Sequence, residues 1–192
     1  MKGILLATIF ITLSFALAVA EQEKPKAESI NIDEVCKNTT SKDVCVSTLK
    51  SLGADQDQQK LSKFAQKVIR HAQSEFGHTS TKAREKMRED DLDMKIKKAL
   101  SHCVKMYLDI ADELRGLYLS AKSKKFSSEG TDFMQMAQAF PRHCEHGLTK
   151  VGTSGEKLNL YKNYKDLEDL ASIVDAVILY ANNAKKDIKG KQ

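Results

Sequence analysis

The chain has 192 residues, of which 41% are hydrophobic, 30% charged and 6% aromatic, with 9 Gly, 2 Pro and no Trp. This composition excludes a disordered chain, because enough apolar residues are present to form a core. Gly and Pro are too scarce for the many tight turns of a β-sandwich or barrel. The net charge of +5 is spread among residues of both signs, without the basic stripe of a nucleic-acid-binding protein. We therefore expect one domain that binds no nucleic acid.

Residues 1–20 have the pattern of a secretory signal peptide. Lys2 gives a positive start, an apolar run of about 15 residues follows, and residues 18–20 (AVA) form a small-residue cleavage pattern before Glu21. A run of that length is short for a membrane span, which needs about 20 residues. We expect a secreted protein that has a polar leader at 21–29, a charge of +4 after loss of Lys2, and no membrane attachment once the signal is removed.

Apolar residues in the rest of the chain recur at steps of three and four, which is typical of amphipathic helices. Four such stripes lie at residues 61–76, 92–117, 133–148 and 167–181. Each stripe needs a partner helix to cover it, so the pattern predicts an all-α fold, an antiparallel four-helix bundle at about 57–186. A shorter apolar pattern predicts a helical hairpin at about 30–54, and the two parts form one domain at 30–192.

Glycine, proline and threonine positions predict where these helices begin and end. We expect a break at Gly77, beyond which apolar residues extend the first stripe. Thr131 is a candidate N-cap of the third helix, and Pro141 predicts a kink or break within it. The third helix is expected to fray near Leu148, ahead of Gly152.

An even number of cysteines in a secreted protein favours disulfides over a zinc site, and three pairings are open. The four are Cys36, Cys45, Cys103 and Cys144. If the second and third helices form an antiparallel hairpin, the register that places Cys103 opposite Cys144 also pairs Tyr107 with Phe140. Its turn would fall in the polar segment 122–130. A Cys103–Cys144 bridge is therefore compatible with the predicted bundle.

The short loop between the first two cysteines contains Asn38-Thr39-Thr40, an N-glycosylation sequon. Asn38 is therefore a candidate glycosylation site on the surface of a secreted protein.

Three histidines, His102, His143 and His146, lie close in sequence to Cys103 and Cys144. They are candidate pH-responsive groups, because histidine changes charge between pH 5 and 8. A metal site or an acid–base pair is the alternative, but oxidised cysteines provide no thiolate and no carboxylate completes a recognised ligand spacing. We therefore favour structural histidines and expect no catalytic residue, metal or cofactor.

Two groups of charged residues have more than one interpretation. The mixed charges at 82–98 are typical of a solvated helix surface, and the alternative is a docking face for an enzyme cleft. The lysines at 185, 186, 189 and 191 predict a frayed basic tail.

Several segments resemble the plant invertase and pectin methylesterase inhibitors over essentially the whole mature chain. Residues 35–49 (VCKNTTSKDVCVSTL) are similar to the family's opening, and residues 99–107 (ALSHCVKMY) to its Ala-Leu-x-x-Cys-x-x-x-Tyr helix. Residues 137–147 (AQAFPRHCEHG) resemble the segment around the fourth cysteine, with His143 where the family usually has Thr. Residues 167–181 are similar to the closing apolar helix.

The resemblance implies a helical hairpin packed on a four-helix bundle, with Cys36 paired to Cys45 and Cys103 to Cys144. It also implies a secreted protein of the cell wall or apoplast, without catalytic activity, that blocks the active-site cleft of a carbohydrate-active enzyme. The chain lacks the Pro-Lys-Phe triplet that is common in members acting on invertase, and Lys124-Lys125-Phe126 matches it only in part.

We therefore expect a reversible inhibitor of pectin methylesterase. The alternatives are an inhibitor of cell-wall or vacuolar acid invertase, and a non-inhibitory binding or signalling bundle of the same fold. The basic tail and the charge of +4 would also allow weak contact with acidic pectin.

Overall fold

Seven α-helices make up the part of the chain that the computed structural model describes, which is residues 30–54, 60–123 and 128–189. In chain order they are α1 (Ile32–Cys36), α2 (Lys42–Ser51), α3 (Leu61–Met87), α4 (Met94–Lys122), α5 (Ser128–Ala137), α6 (Phe140–Lys150) and α7 (Tyr164–Lys189). The predicted signal peptide, the polar leader and Lys124-Lys125-Phe126 lie outside the described residues.

Helices α3, α4, α5 with α6, and α7 form the four sides of the bundle. Contacts join α3 to α4, α4 to both α5 and α6, those two helices to α7, and α7 back to α3. Consecutive sides are connected by chain reversals, so neighbouring helices are antiparallel. The apolar stripes meet in one core whose largest fully buried side chains include Tyr107, Phe64, Phe76 and Met134. The all-α fold predicted from the sequence is confirmed.

The N-terminal hairpin of α1 and α2 packs against α7. Asn31 caps α1 by accepting a hydrogen bond from the Glu34 amide, 3.1 Å away, with its side-chain oxygen. Helix α2 ends in a Schellman motif, because Gly53 has a φ of 84° and its N–H donates to the Lys50 carbonyl. The division of 30–192 into hairpin and bundle segments at the predicted boundaries stays a prediction.

The third side of the bundle is broken where the sequence predicted a break. Helix α5 ends at Ala137, and α6 begins at Phe140 with Pro141 in its first turn. Pro is tolerated there, because the first N–H groups of a helix have no intrahelical partner. Two aromatic rings bracket the break, since Phe133 and Phe140 lie edge to face with centroids 6.4 Å apart.

Other predicted helix ends were wrong. Helix α3 continues through Gly77, where a methyl group would meet nothing within 4 Å, because packing on α4 outweighs the weak helix propensity of one glycine. Helix α5 begins at Ser128, so Thr131 lies inside it rather than at its N-cap.

Two helices also extend further than predicted. Helix α6 runs two residues past Leu148 to Lys150, where a Schellman motif at Gly152, with a φ of 84°, ends it. Helix α7 continues to Lys189, so the first part of the predicted frayed tail is helical.

Candidate functional site

A buried disulfide joins two neighbouring sides of the bundle. Cys103 of α4 and Cys144 of α6 are bonded with their Cα atoms 5.1 Å apart, and each residue is only 1% exposed. The bridge spans a sequence separation of 41 residues. In the chain-entropy model a loop of this size stabilises the fold by about 3–4 kcal/mol. The bridge therefore fixes how the exposed sides of α4 and α6 sit beside each other.

Polar side chains flank this bridge on the surface. His102, Lys105 and Asp109 of α4 and His143 and His146 of α6 are all exposed. An α-helix turns by about 100° per residue, so His102, Lys105 and Asp109 lie on one side of Cys103 around the axis of α4. By the same count, His143 and His146 lie on the corresponding side of Cys144 around the axis of α6. Because α4 and α6 are antiparallel, the two sets then share one surface. We call these five residues the α4/α6 face.

This face carries the three histidines that the sequence singled out, and all three are exposed on it beside the bridge. No group of three His, Cys, Asp or Glu side chains in the described parts of the chain is arranged to hold a metal ion.

A hydrogen-bonded cluster supports the face from below. The Glu145 carboxylate of α6 accepts two hydrogen bonds at Oε2, from the Tyr161 hydroxyl at 2.6 Å and from the Gly155 amide at 2.9 Å. Burial raises the pKa of Tyr161, and the neighbouring Tyr107 and Glu145 act in the same direction. Burial also raises the pKa of Tyr107, although the neighbouring Tyr161 hydroxyl lowers it. Both phenols stay neutral at physiological pH.

The cluster ties the loop after α6 back to that helix. Glu145 lies in α6, and Gly155 and Tyr161 lie in the loop that leads to α7. A charged acceptor makes such hydrogen bonds stronger than those between neutral groups. The backbone beneath the α4/α6 face is therefore held by one covalent bridge and one polar cluster.

Comparison with known families identifies the chain. Residues 31–177 match the family model described as plant invertase/pectin methylesterase inhibitor. The chain belongs to this family. Members of the family are inhibitors rather than enzymes. No curated protein and no solved structure matches the chain.

In this inhibitor-family protein, a bidentate ion pair joins α6 to α7. Arg142 donates from Nε to Glu168 Oε1 at 3.0 Å and from its terminal nitrogen to Oε2 at 3.1 Å. The Glu168 side chain is 10% exposed, and that of Arg142 is 68% exposed. The paired Glu168 carboxylate raises the pKa of Arg142 further above its ordinary value. The pair anchors the outer surface of α6 next to His143.

The hairpin of the inhibitor-family protein is closed by the second disulfide and fastened to α7. Cys36 and Cys45 are bonded with Cα atoms 5.7 Å apart. Between them, the Thr40 amide donates to Ser172 Oγ at 3.1 Å, and Thr40 Oγ1 donates to an Asp169 carboxylate oxygen at 2.6 Å. Asn38 is exposed in this loop.

Sequence reasoning did not find Glu145, Tyr161, Gly155 or the Arg142–Glu168 pair. The Glu145–Tyr161 contact joins residues 16 apart in the chain, and a lone Glu-Tyr spacing of that length has no recognisable pattern. The described helices also include none that has both the length and the apolar character needed to cross a membrane.

Proposed function

We propose that this protein inhibits pectin methylesterase by laying the α4/α6 face over the active-site cleft of the enzyme. Family membership supports an inhibitor of pectin methylesterase or invertase. The observation that carries the choice of surface is the Cys103–Cys144 bridge beneath two adjacent rows of exposed polar side chains. A surface that is rigid before binding loses little conformational entropy in the complex.

The choice of pectin methylesterase over acid invertase rests on sequence. The chain has no Pro-Lys-Phe triplet, and Lys124-Lys125-Phe126 matches it only in part. The α4/α6 face has both signs of charge available, from Lys105, Asp109 and the histidines, so charge would select the partner and speed association more than it would supply affinity.

The proposal includes the cellular setting. The signal-peptide pattern at 1–20 supports secretion into the cell wall, where Asn38 would be open to glycosylation. The net charge of the chain supports weak attraction to acidic pectin. The three histidines of the face would make the affinity for the enzyme depend on pH.

One experiment decides between the targets. The oxidised protein from Glu21 onward is mixed with a plant pectin methylesterase and, separately, with a cell-wall and a vacuolar acid invertase, and residual activity and complex formation are measured. Inhibition of the esterase alone is expected. Inhibition of the invertases alone would reverse the choice of target, and failure against a broad panel of both would overturn the inhibitor proposal.

Variants test the surface. One variant combines Lys105→Glu, which reverses a charge on the α4/α6 face, with His146→Glu, which adds a negative charge. We expect its inhibition constant to rise about tenfold or more, which corresponds to a loss of about 1.4 kcal/mol in binding free energy. Lys63→Glu, on the exposed side of α3, is the matched control and should leave inhibition unchanged. Equal inhibition constants for the two variants would place the contact elsewhere.

A third variant tests the histidines. We expect a His102→Ala, His143→Ala, His146→Ala protein to lose the pH dependence of target affinity that the parent shows. If the two proteins have the same pH profile, these histidines are not the pH-responsive groups.

A further inference from the structure

A cavity lies where the hairpin meets the bundle, away from the α4/α6 face. It has a volume of about 280 Å³ and is lined by the α1–α2 loop, the C-terminal end of α5 and the middle of α7. The lining groups are amides and hydroxyls around one carboxyl group, with an apolar edge at Ala176 and Leu179. The polar ones include Asn38, Thr40, Gln135, Gln138, Ser172 and Asp175.

Asp175 is the unusual member of this cavity. The residue is 8% exposed, and its Oδ1 atom is buried with no hydrogen-bond partner among the described residues. A buried carboxylate oxygen without a partner is costly, and buried polar groups in folded proteins are nearly always hydrogen-bonded. Asp175 therefore brings to the cavity lining a carboxylate that lacks one hydrogen-bond partner among the described residues.

The charges around the cavity determine what kind of donor fits. Burial raises the pKa of Asp175 to about 6, and the negative charge of Asp132 on α5 adds to this, whereas the nearby Gln135 side chain lowers it. A third carboxylate, Asp169 of α7, accepts a hydrogen bond from Thr40 at the same junction. Among the described residues, the lining includes no Lys, Arg or His, and the hairpin loop contributes only neutral groups to it.

The cavity calls for a hydrogen-bond donor to Asp175 and for a charge opposite to that of the neighbouring carboxylates. A ligand with a positive charge and several N–H donors supplies both. It would supply the missing hydrogen bond to Asp175 and offset the repulsion between neighbouring carboxylates. The described residues hold no group of three metal-ligating side chains here, so a metal ion is not favoured. Neutral ligands such as sugars would use the amides and hydroxyls but would leave the negative charge uncompensated.

We propose that this cavity is a binding site for a cationic nitrogen group, an alkylammonium or a guanidinium, which pairs with the Asp175 carboxylate and donates to the surrounding hydroxyl and amide oxygens. The group could arrive on a free amine or on a basic side chain of a peptide, since the recognition chemistry is the same. The methylene groups next to the charged nitrogen would lie against Ala176 and Leu179 at the apolar edge of the cavity.

Proton binding and cation binding compete at this site. Above pH 6 Asp175 is ionised and attracts the cation, and below that pH its protonation removes the charge. Affinity for the cation should therefore fall about tenfold for each unit of pH below the pKa. Asp132 and Asp169 face the same junction and would add smaller effects.

The test is an NMR titration of amide resonances in the full oxidised protein, at fixed ionic strength and at pH 7 and pH 5. The probes are n-butylammonium, methylguanidinium and a capped Gly-Lys-Gly peptide, with n-butanol and galactose as neutral comparisons. We expect saturable shifts confined to residues 38–40, 135–138 and 172–179, with binding about tenfold weaker at pH 5. The relative affinities of the peptide and the small amines show which source the site prefers.

Two variants and a control complete the test. Asp175→Asn preserves the shape of the side chain and should abolish binding of the cations, whereas Asp166→Asn, exposed at the start of α7, should leave it unchanged. Leu179→Lys places an ammonium group one helical turn from Asp175 and should block the probes by occupying the site. Equal binding of n-butanol or galactose, unaltered binding by Asp175→Asn, or no localised shifts would each overturn the proposal.

Discussion

Gly155 lies directly against the phenol ring of Tyr161. A methyl group at the Gly155 Cα would overlap the Cζ and hydroxyl end of that ring. The hydroxyl end is also the part that donates to Glu145, so the ring cannot move without losing that hydrogen bond. Gly155 is therefore required by a neighbouring side chain rather than by its own backbone conformation.

Gly155→Ala should destabilise the protein. We expect the free energy of unfolding to fall by about 1–3 kcal/mol, because overpacking at this point displaces Tyr161. Urea unfolding followed by circular dichroism measures the change. Gly116→Ala is the matched control, since Gly116 lies exposed in α4 with no atom near the added methyl group, and it should raise stability by about 0.5–1 kcal/mol. Equal effects of the two substitutions would show that the Gly155–Tyr161 contact is unimportant.

Tyr161→Phe removes the hydroxyl while keeping the ring. The Glu145 carboxylate then loses one of its two hydrogen bonds and keeps the one from the Gly155 amide. We expect a loss of about 1.5–3 kcal/mol in the free energy of unfolding, which is typical for a hydrogen bond to a charged group. Tyr180→Phe, whose hydroxyl accepts only a 3.4 Å bond from the Asn31 amide, should change stability much less. A null result for Tyr161→Phe would mean that water replaces the hydroxyl.

The periodicity of apolar residues was enough to predict the helices, because a bundle is specified by which face of each helix is buried. The break before Pro141 was predictable because proline in the interior of a helix removes a backbone hydrogen bond. The continuation of α3 through Gly77 was not, since it depends on how strongly α4 packs against that helix. Helix ends set by tertiary contact carry no local signal.

The candidate site was predictable only in part. Sequence placed His102, His143 and His146 near two cysteines, and the antiparallel register brings them to one surface. The polar cluster at Glu145 and the buried Asp175 were not predictable, because both depend on partners far away in the chain. The apolar spacing around Asp175 in the stripe at 167–181 would be the same whether its side chain faced solvent or a cavity.

The two disulfides should differ in their contribution to stability. Replacing Cys103 and Cys144 by Ala releases a loop with a sequence separation of 41, and we expect a loss of about 3–4 kcal/mol. Replacing Cys36 and Cys45 releases a separation of only 9, for which the same model gives about 2–3 kcal/mol. Urea unfolding of both double variants measures the difference. A larger loss from the shorter loop would show that local packing, rather than chain entropy, dominates.

Asp175 should make stability depend on pH. Its pKa is raised from 3.8 to about 6 in the folded protein, so the folded state binds more protons than the unfolded state between those values. Stability should therefore fall as pH rises through this window, by on the order of 1 kcal/mol after allowance for solvent screening. Thermal unfolding of the parent and of Asp175→Asn from pH 4 to pH 8 tests this.

The Asp175→Asn protein should lose this component of the pH dependence and be the more stable of the two at pH 7. Asp90→Asn, in the exposed turn between α3 and α4, is the matched control and should keep the pH profile of the parent. If the parent and Asp175→Asn have parallel profiles, Asp175 is ionised without penalty. The cavity would then already supply the donor that its Oδ1 atom lacks.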